Sequence, residues 1–334
     1  MMTLKYAYGT TLYDITQLVT EVNWSGDITQ AKRDLKATFK TAYNQSEHLV
    51  RVRDGGSLYL YFEGVELFRG TILTSGTSNE GNYEVTAYDA NYYLANNFET
   101  QAFRKMTATA IVKQLCSTYG IAMGDIRDTG YVIPKMFVKN KSLFEIFYKA
   151  LTETKKHTGK QYFLSVRDGK LNLLPRMFMI NQYKMAAGAN LLSIKHTRDA
   201  SNMSNQVKVV LSDDKGVSKT YTQRDDALVT QYGILQVIEE LSDKKANMQQ
   251  VAAAKLRDVA KVDDKLSITA FGIPDVYAGT GVYVEDPLTG VSASYFVEAD
   301  SHTFNPETGL YSMSLDLSTT DNIPQYEIEK DEAK

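Results

Sequence analysis

Apolar and polar residues alternate with a period of two along most of the first hundred positions. Runs of this kind predict strands at Leu4–Tyr8, Val19–Trp24, Leu35–Tyr43, Leu49–Arg53, Leu58–Phe62, Val65–Leu73 and Asn82–Tyr88. Turn signals separate them: Ser25-Gly26-Asp27, Asp54-Gly55-Gly56, Glu63-Gly64 and Asn79-Glu80-Gly81. Short strands at this spacing indicate a barrel or sandwich. From residue 103 to about 185 the period changes. Thr107 is placed to cap a helix with Ala108, Ile111, Val112, Leu115 and Tyr119 on one face and Gly120 as its stop. A strand at Tyr131–Val138 follows. Ser142-Leu143-Phe144-Glu145 then fits a capping box, opening a helix with Leu143, Ile146, Phe147, Ala150 and Leu151 on one face. A hairpin at Gln161–Val166 and Leu171–Leu174 turns on Arg167-Asp168-Gly169-Lys170. The pattern returns to β at Leu192–His196, Gln206–Leu211, Val217–Tyr221 and Ile234–Glu239. One helix, Lys244 to about Ala260, follows with Asp243 as its cap.

Two stretches, Asp34–Asp89 and Lys265–Asp316, share one plan. Each opens on an alternating strand, Leu35–Phe39 or Leu266–Ala270, and then reaches a Gly-rich corner, Asp54-Gly55-Gly56 or Ala278-Gly279-Thr280-Gly281. A short strand comes next, Ser57–Tyr61 or Val282–Glu285, then a turn with Gly64 or Gly290. The unit closes on Tyr83-Glu84-Val85-Thr86-Ala87 or Tyr311-Ser312-Met313-Ser314-Leu315. The chain therefore carries a duplicated β-unit, and three such chains would present six similar units.

A length of 334 residues suggests two or three domains. Tyr, at 22 against 13 Phe and one Trp, tilts the reading towards sheet and half-wet interfaces. The net charge of −3, without a basic patch, disfavours stable nucleic-acid binding. One cysteine allows no intrachain disulfide and fits synthesis in a reducing compartment. The first residues lack a signal-peptide core, and no run approaches the roughly 18 apolar residues of a membrane helix. The expected site of synthesis is the cytoplasm.

Candidate chemistry is sparse. His48, His157, His196 and His302 are scattered, none at metal-ligand spacing from another or from Cys116. His48 and His157 read as loop residues, His196 and His302 as strand residues facing a neighbour's backbone. Cys116 lies on the apolar side of its helix and reads as core rather than nucleophile. No nucleophile elbow, Walker loop or dinucleotide fingerprint occurs. Asp213-Asp214, Asp225-Asp226 and Asp263-Asp264 are carboxylate pairs of the kind glycoside hydrolysis needs, but they sit in predicted turns or beside a helix end, where Asp is locally favoured. Trp24 reads as packing across the first barrel. Ala252-Ala253-Ala254 could pack on its own domain or on a neighbour.

The order of pieces resembles a family. Asn23-Trp24-Ser25-Gly26-Asp27 with the strand Leu35–Phe39 resembles the opening of XkdQ/YqbQ-type baseplate hub proteins of PBSX-like contractile tails and tailocins. Glu66–Gly70, Val85–Asp89 with Tyr93-Leu94, Met203–Val207, Tyr232–Gln236, Tyr295–Val297, His302–Phe304 and Met313–Leu315 match further family strings in register. The resemblance implies a hub related to gpD and VgrG modules, in which two tube-like barrels per chain trimerise into a ring. One side of that ring imitates the six-fold tail tube, and the other carries the three-fold spike.

The expected fold is mainly β with an α+β insertion: two tube-like β-barrel domains plus a small α/β module. The expected divisions are residues 1–100 (first barrel), 101–188 (α/β), 189–243 (β-rich connection), 244–320 (helix and second barrel) and 321–334 (a polar tail, loose unless a partner orders it). The expected role is structural and not enzymatic, with no catalytic, cofactor or metal residues. The expected partners are two further copies in a homotrimer, the tail tube protein and the trimeric spike, with tape-measure and baseplate wedge proteins as further candidates. No membrane insertion and no stable nucleic-acid binding are expected. The expected location is the baseplate of a particle made in the host bacterial cytoplasm. A cell-wall hydrolase, resting on the Asp pairs, and a carbohydrate-binding tail module, resting on the Tyr-rich β-structure, are the alternatives.

Overall fold

The computed structural model describes residues 1–30, 32–40, 52–77, 82–176, 183–213, 216–241, 247–319 and 323–328. The first part of the chain forms strands β1 (Met2–Tyr8), β2 (Thr11–Asp14), β3 (Val19–Asp27), β4 (Arg33–Lys40), β5 (Ser57–Phe62), β6 (Val65–Thr77) and β7 (Asn82–Tyr88), then helix α1 (Tyr92–Asn96). The middle part comprises β8 (Phe98–Thr107), α2 (Ala108–Thr118), β9 (Met123–Ile126), β10 (Val132–Ser142), α3 (Leu143–Thr158), β11 (Tyr162–Arg167), β12 (Lys170–Pro175) and β13 (Tyr183–Ala186). There follow β14 (Leu191–Asp199), β15 (Gln206–Asp213), β16 (Gly216–Arg224), α4 (Asp226–Tyr232), β17 (Gln236–Leu241) and α5 (Met248–Val259). The last strands are β18 (Asp263–Phe271), β19 (Gly281–Asp286), β20 (Val291–Phe304) and β21 (Tyr311–Ser318). The protein is mainly β, as the alternation predicts. Strands β1, β5, β6 and β7 stand where the pattern puts them, but β3 runs on to Asp27 through Ser25-Gly26-Asp27, which the pattern reads as a turn. The strand expected at Leu49–Arg53 lies mostly outside the described residues. Three strands without a clean alternation, β2, β8 and β9, and the short helix α4 had no sequence signal that distinguished them.

The chain divides into two compact units, one of Met1–Ile194 with Ser267–Lys334 and one of Lys195–Leu266. In the first unit the duplication is a fact of topology. One copy orders its strands β3-β4-β7-β6-β5, and the other orders them β14-β18-β21-β20-β19. Each also bulges at the same place. The register of β6 on β7 slips between Ile72 and Thr74, opposite Ala87 and Thr86. That of β20 on β21 slips between Val297 and Ala299, opposite Leu317 and Asp316. The bulges equate Ala87 with Leu317, two residues later than the sequence alignment put it. A two-residue slip leaves every side chain on the same face, so alternation alone could not detect it.

The expectation of two tube-like barrels needs correction. The copies do not close on themselves among the described residues. They join one thirteen-stranded sheet in the order β14-β18-β21-β20-β3-β4-β7-β6-β5-β1-β2, with β19 paired to β20 and β13 to β19. The reason is β3, whose outer edge pairs antiparallel with the second half of β20, from Asp27 opposite Ala299 to Val22 opposite Phe304. An edge used to reach the other copy is not available for closure.

The α/β insertion packs α2 and α3 with the β10-β8 pair and the β11-β12-β9 sheet around Phe103, Ile111, Leu115, Phe147 and Phe163, all buried. Its caps are those the sequence signals. Thr107 Oγ1 accepts from the Ala110 amide, and Ser142 and Glu145 form the reciprocal capping box. Asp168 and Gly169 both take positive φ, 52° and 67°, which is what a two-residue hairpin turn requires. The tail is not loose where it is described. Ile323 is buried in this core, Tyr326 packs on Phe144, and the Tyr326 amide donates to Thr152 Oγ1. Ile323, Tyr326 and Ile328 supply an apolar side that the polar composition hid.

In the second unit, β16-β15-β17 form a sheet and α5 lays Ala252 and Leu256 on Val207 and Val209. The alanine-rich helix therefore packs on its own unit. Its observed cap is Asn247, accepting from Gln249 and Gln250; Asp243 lies outside the described residues. Replacing Ser142 by Ala should lower stability by roughly 0.5–2 kcal/mol, read from the urea midpoint, because it removes a cap and leaves helix amides unpaired.

Candidate functional site

The joint between the copies concentrates the buried polar chemistry of the first unit. β4 places Arg33 beside β3 at Gly26, and a Cβ on Gly26 would collide with the guanidinium. Glycine here lets the side chain cross β3 and reach β20. There Asp300 receives it bidentately: Nη1 donates to Oδ1 at 2.8 Å, and Nη2 pairs with Oδ2. Asp300 Oδ1 also accepts from the Ala278 amide at 2.6 Å. Trp24, opposite His302 across the β3–β20 pair, stacks under the guanidinium, whose carbon lies 4.3 Å from the ring centre.

His302 is fully buried and its tautomer is set by its partners. Nε2 lies 2.9 Å from the Val276 carbonyl, which can only accept, so Nε2 carries a proton. In the neutral ring Nδ1 then accepts from the Tyr311 hydroxyl at 2.8 Å. Asp300 Oδ2 stands 3.3 Å from Nε2 and adds to this cluster. On the same side Arg167 pairs with Asp275 at 2.8 Å and lies over Tyr277. Among the described residues, Trp24 Nε1, Arg33 Nε, Asn91 Oδ1 and Ser165 Oγ have no protein partner and line one cavity of about 30 Å³, a polar space of a size that holds water.

Burial alone would raise the Asp300 carboxyl; the Arg33 guanidinium and the His302 hydrogen bond reverse this and hold it below the usual carboxylate range. Asp89, at the end of the first copy, is in the opposite situation. Burial dominates and pushes it up to about 7, against the Arg33 amide-side bonding and charge that lower it. Burial raises Tyr311 further above the ordinary phenol. Together these groups make a buried polar joint. Nothing in the cluster pairs a nucleophile with a free base in an open cleft.

The remaining candidate residues are dispersed. Cys116 is buried in the α/β core, and burial pushes its thiol up to about 12, so it is packing and not a nucleophile. His157 lies in the last turn of α3, not in a loop, and contacts Glu153 one turn back. His196 meets the Asp264 side chain and not a backbone group. His302 does face backbone, at Val276. His48 lies outside the described residues. Asp225 caps α4, accepting from Ala227 and Leu228, and Asp226 pairs with Arg224. Asp213 closes the β15–β16 hairpin, and Asp214 lies outside the described residues. Asp263 and Asp264 belong to strand β18, not to a turn. Among the described residues, the contacts of these aspartates are with a helix N-terminus, an arginine and a histidine. Among the described residues no group of three His, Cys, Asp or Glu side chains could hold a metal, and no helix is long and apolar enough to cross a membrane. The sequence reading missed Arg33 and Asp300 altogether; the one available signal was a lone Arg at the head of a core strand opposite a glycine.

A duplicated strand order joined by β3 and β20 is a recognisable construction, and comparison identifies it. The YqbQ-like family model matches residues 22–318. The chain belongs to the YqbQ-like family. Over 315 residues it is 32% identical to YqbQ of Bacillus subtilis (strain 168), covering 92% of this chain and 94% of that protein. It is 30% identical over 316 residues to the phage-like element PBSX protein XkdQ of the same organism, covering 92% and 95%. Its fold is that of the 43 kDa tail protein of prophage MuSo2 from Shewanella oneidensis. The TM-score is 0.71 over 96% of this chain and all of that one, at 14% identity. The fold is one found in a prophage tail protein.

Two outcomes follow from the joint. Replacing Asp300 by Ala leaves a buried guanidinium unpaired and should cost roughly 3–5 kcal/mol in urea unfolding, whereas the double replacement Arg33→Met with Asp300→Leu should recover most of it. For pH, Asp300 has a folded value below its unfolded one, so its stabilisation is present at neutral pH and is lost as pH falls below about 4. Asp89 has a folded value above its unfolded one, so it favours the folded state below about 4 and that advantage is lost as pH rises through about 7. Asp89→Asn should therefore flatten stability between pH 4 and 7 and raise it at pH 8, by up to about 4 kcal/mol at 1.36 kcal/mol per pH unit.

Proposed function

We propose that this protein is the structural hub of a contractile-tail baseplate, trimerising so that three chains present six similar β-units to the tail tube and a three-fold face to the spike. The observation that carries this reading is the duplicated five-strand order, β3-β4-β7-β6-β5 and β14-β18-β21-β20-β19, fused into one sheet within the chain. A chain that already holds two like units side by side needs only three-fold symmetry to approximate six-fold order. Family membership alongside XkdQ and the tail-protein fold support the same role.

In this reading the protein performs no turnover. Its work is to hold six units around a channel, and its chemistry is that of interfaces. The tube protein meets the six-fold side and the trimeric spike the three-fold side, with tape-measure and wedge proteins as neighbours. A net charge of −3 suits a channel that nucleic acid passes without binding. The buried Arg33–Asp300 joint serves this by holding the two β-copies of each chain in one sheet. Its energy is insensitive to salt because it is shielded from solvent. The particle is a phage tail or a tailocin assembled in the bacterial host.

The test is mass by light scattering after size exclusion, for this chain alone and with the spike protein of the same particle. The expected result is a trimer, or a three-to-three complex that forms with the spike. A chain that remains monomeric alone, with spike and with tube protein contradicts the reading.

A further inference from the structure

The cavity of about 30 Å³ beside the β3–β20 joint is lined by residues from three parts of the first unit. Trp24 of β3 and Arg33 of β4 come from the joint, and Asn91 from the turn that opens α1. Ser165 comes from β11 of the α/β insertion. Lys32 and Arg167 complete the charged part of the wall together with Asp27.

Four polar atoms of this wall have no protein partner among the described residues: Trp24 Nε1, Arg33 Nε, Asn91 Oδ1 and Ser165 Oγ. Three of their residues are more than nine-tenths buried, with Trp24 2%, Asn91 5% and Ser165 7% exposed. A buried polar atom without a partner is costly, and four of them around one space call for a shared ligand. The donors decide its kind. An indole N–H and a guanidinium N–H can only donate, and the Ser165 hydroxyl can donate as well. Turning the Asn91 amide end for end presents Nδ2 in place of Oδ1, which makes the fourth group a donor too.

Charge points the same way. The lining carries three cations, Lys32, Arg33 and Arg167, against one carboxylate, Asp27, which already accepts from the amide and hydroxyl of Thr29. Asp300 and Asp275, the carboxylates that pair with Arg33 and Arg167, are not part of the lining. Asp300 engages Nη1 and Nη2 of Arg33 and leaves Nε to the cavity.

We propose that this cavity binds one small monovalent anion of the halide class, held by Trp24 Nε1, Arg33 Nε, Ser165 Oγ and the Asn91 amide. With room for about two water molecules, the space admits a halide ion and excludes larger anions such as sulfate. The ion satisfies all four groups at once and ties β11 of the insertion to the β3–β20 joint. Because it binds the folded chain, it stabilises that chain increasingly with halide concentration. The site lies within a single chain and does not depend on the hub reading.

Trp24 is the one tryptophan of the chain, so tryptophan fluorescence reports this site alone. Bromide in contact with an indole quenches its emission, and the buried ring is shielded from bromide in solution. The full chain is titrated with sodium bromide, at an ionic strength held constant with gluconate, an anion too large for the cavity. The expected result is quenching that saturates, with a dissociation constant about tenfold higher in Ser165→Ala, which loses one donor to a charged ligand. Quenching that is absent, that rises without saturating, or that is unchanged in Ser165→Ala overturns the site. Crystals of the full chain grown in bromide give a second reading. An anomalous peak inside the cavity is expected, and ordered water alone there, or bromide at surface positions only, overturns the proposal.

Discussion

The antiparallel pairing of β3 with β20, locked by Arg33 and Asp300, is the constraint on which the first unit depends. It turns two similar five-stranded copies into one continuous sheet. The pair is buried, bidentate and backed by the Ala278 amide, so the cost of desolvating two charges is met by well-formed bonds. Gly26 exists in this scheme because the guanidinium must pass over β3. Trp24, His302 and Tyr311 then pack around it, each with a partner fixed by the same geometry. Changing any one member alters the environment of the rest, which is why the effects of single replacements here will not add.

Much of the fold was legible in the sequence because its signals are local. Alternation placed β1, β3 to β7 and the hairpin β11–β12. The Thr107 and Ser142 caps placed α2 and α3. The duplication was visible because each copy repeats a strand, a glycine corner and an apolar closing run. What stayed hidden was non-local. The pairing of β3 with β20 joins residues nearly 280 positions apart, such as Asn23 with Ser301, and no periodicity reports such a partner. The open sheet in place of two barrels follows from that pairing alone. Ile323 and Tyr326 were masked by an acidic tail whose composition is polar on average and apolar on one side.

The candidate site was the least legible part. Histidines and paired aspartates attract attention as chemistry, yet most of those described here cap helices, close turns or meet a local partner. Arg33 and Asp300 carry no motif, because a buried ion pair is defined by what surrounds it in space. The family resemblance read from ordered strings proved sound, since it drew on the whole chain and not on any one residue.

The proposed hub would work through symmetry, with the two diverged copies of each chain at equivalent places. The most direct measurement is an electron cryo-microscopy reconstruction of the particle's distal tail without imposed six-fold symmetry. The account predicts three copies of this chain between tube and spike, their two β-units alternating as six around an open channel. A reconstruction that places six chains there, or none, would contradict it.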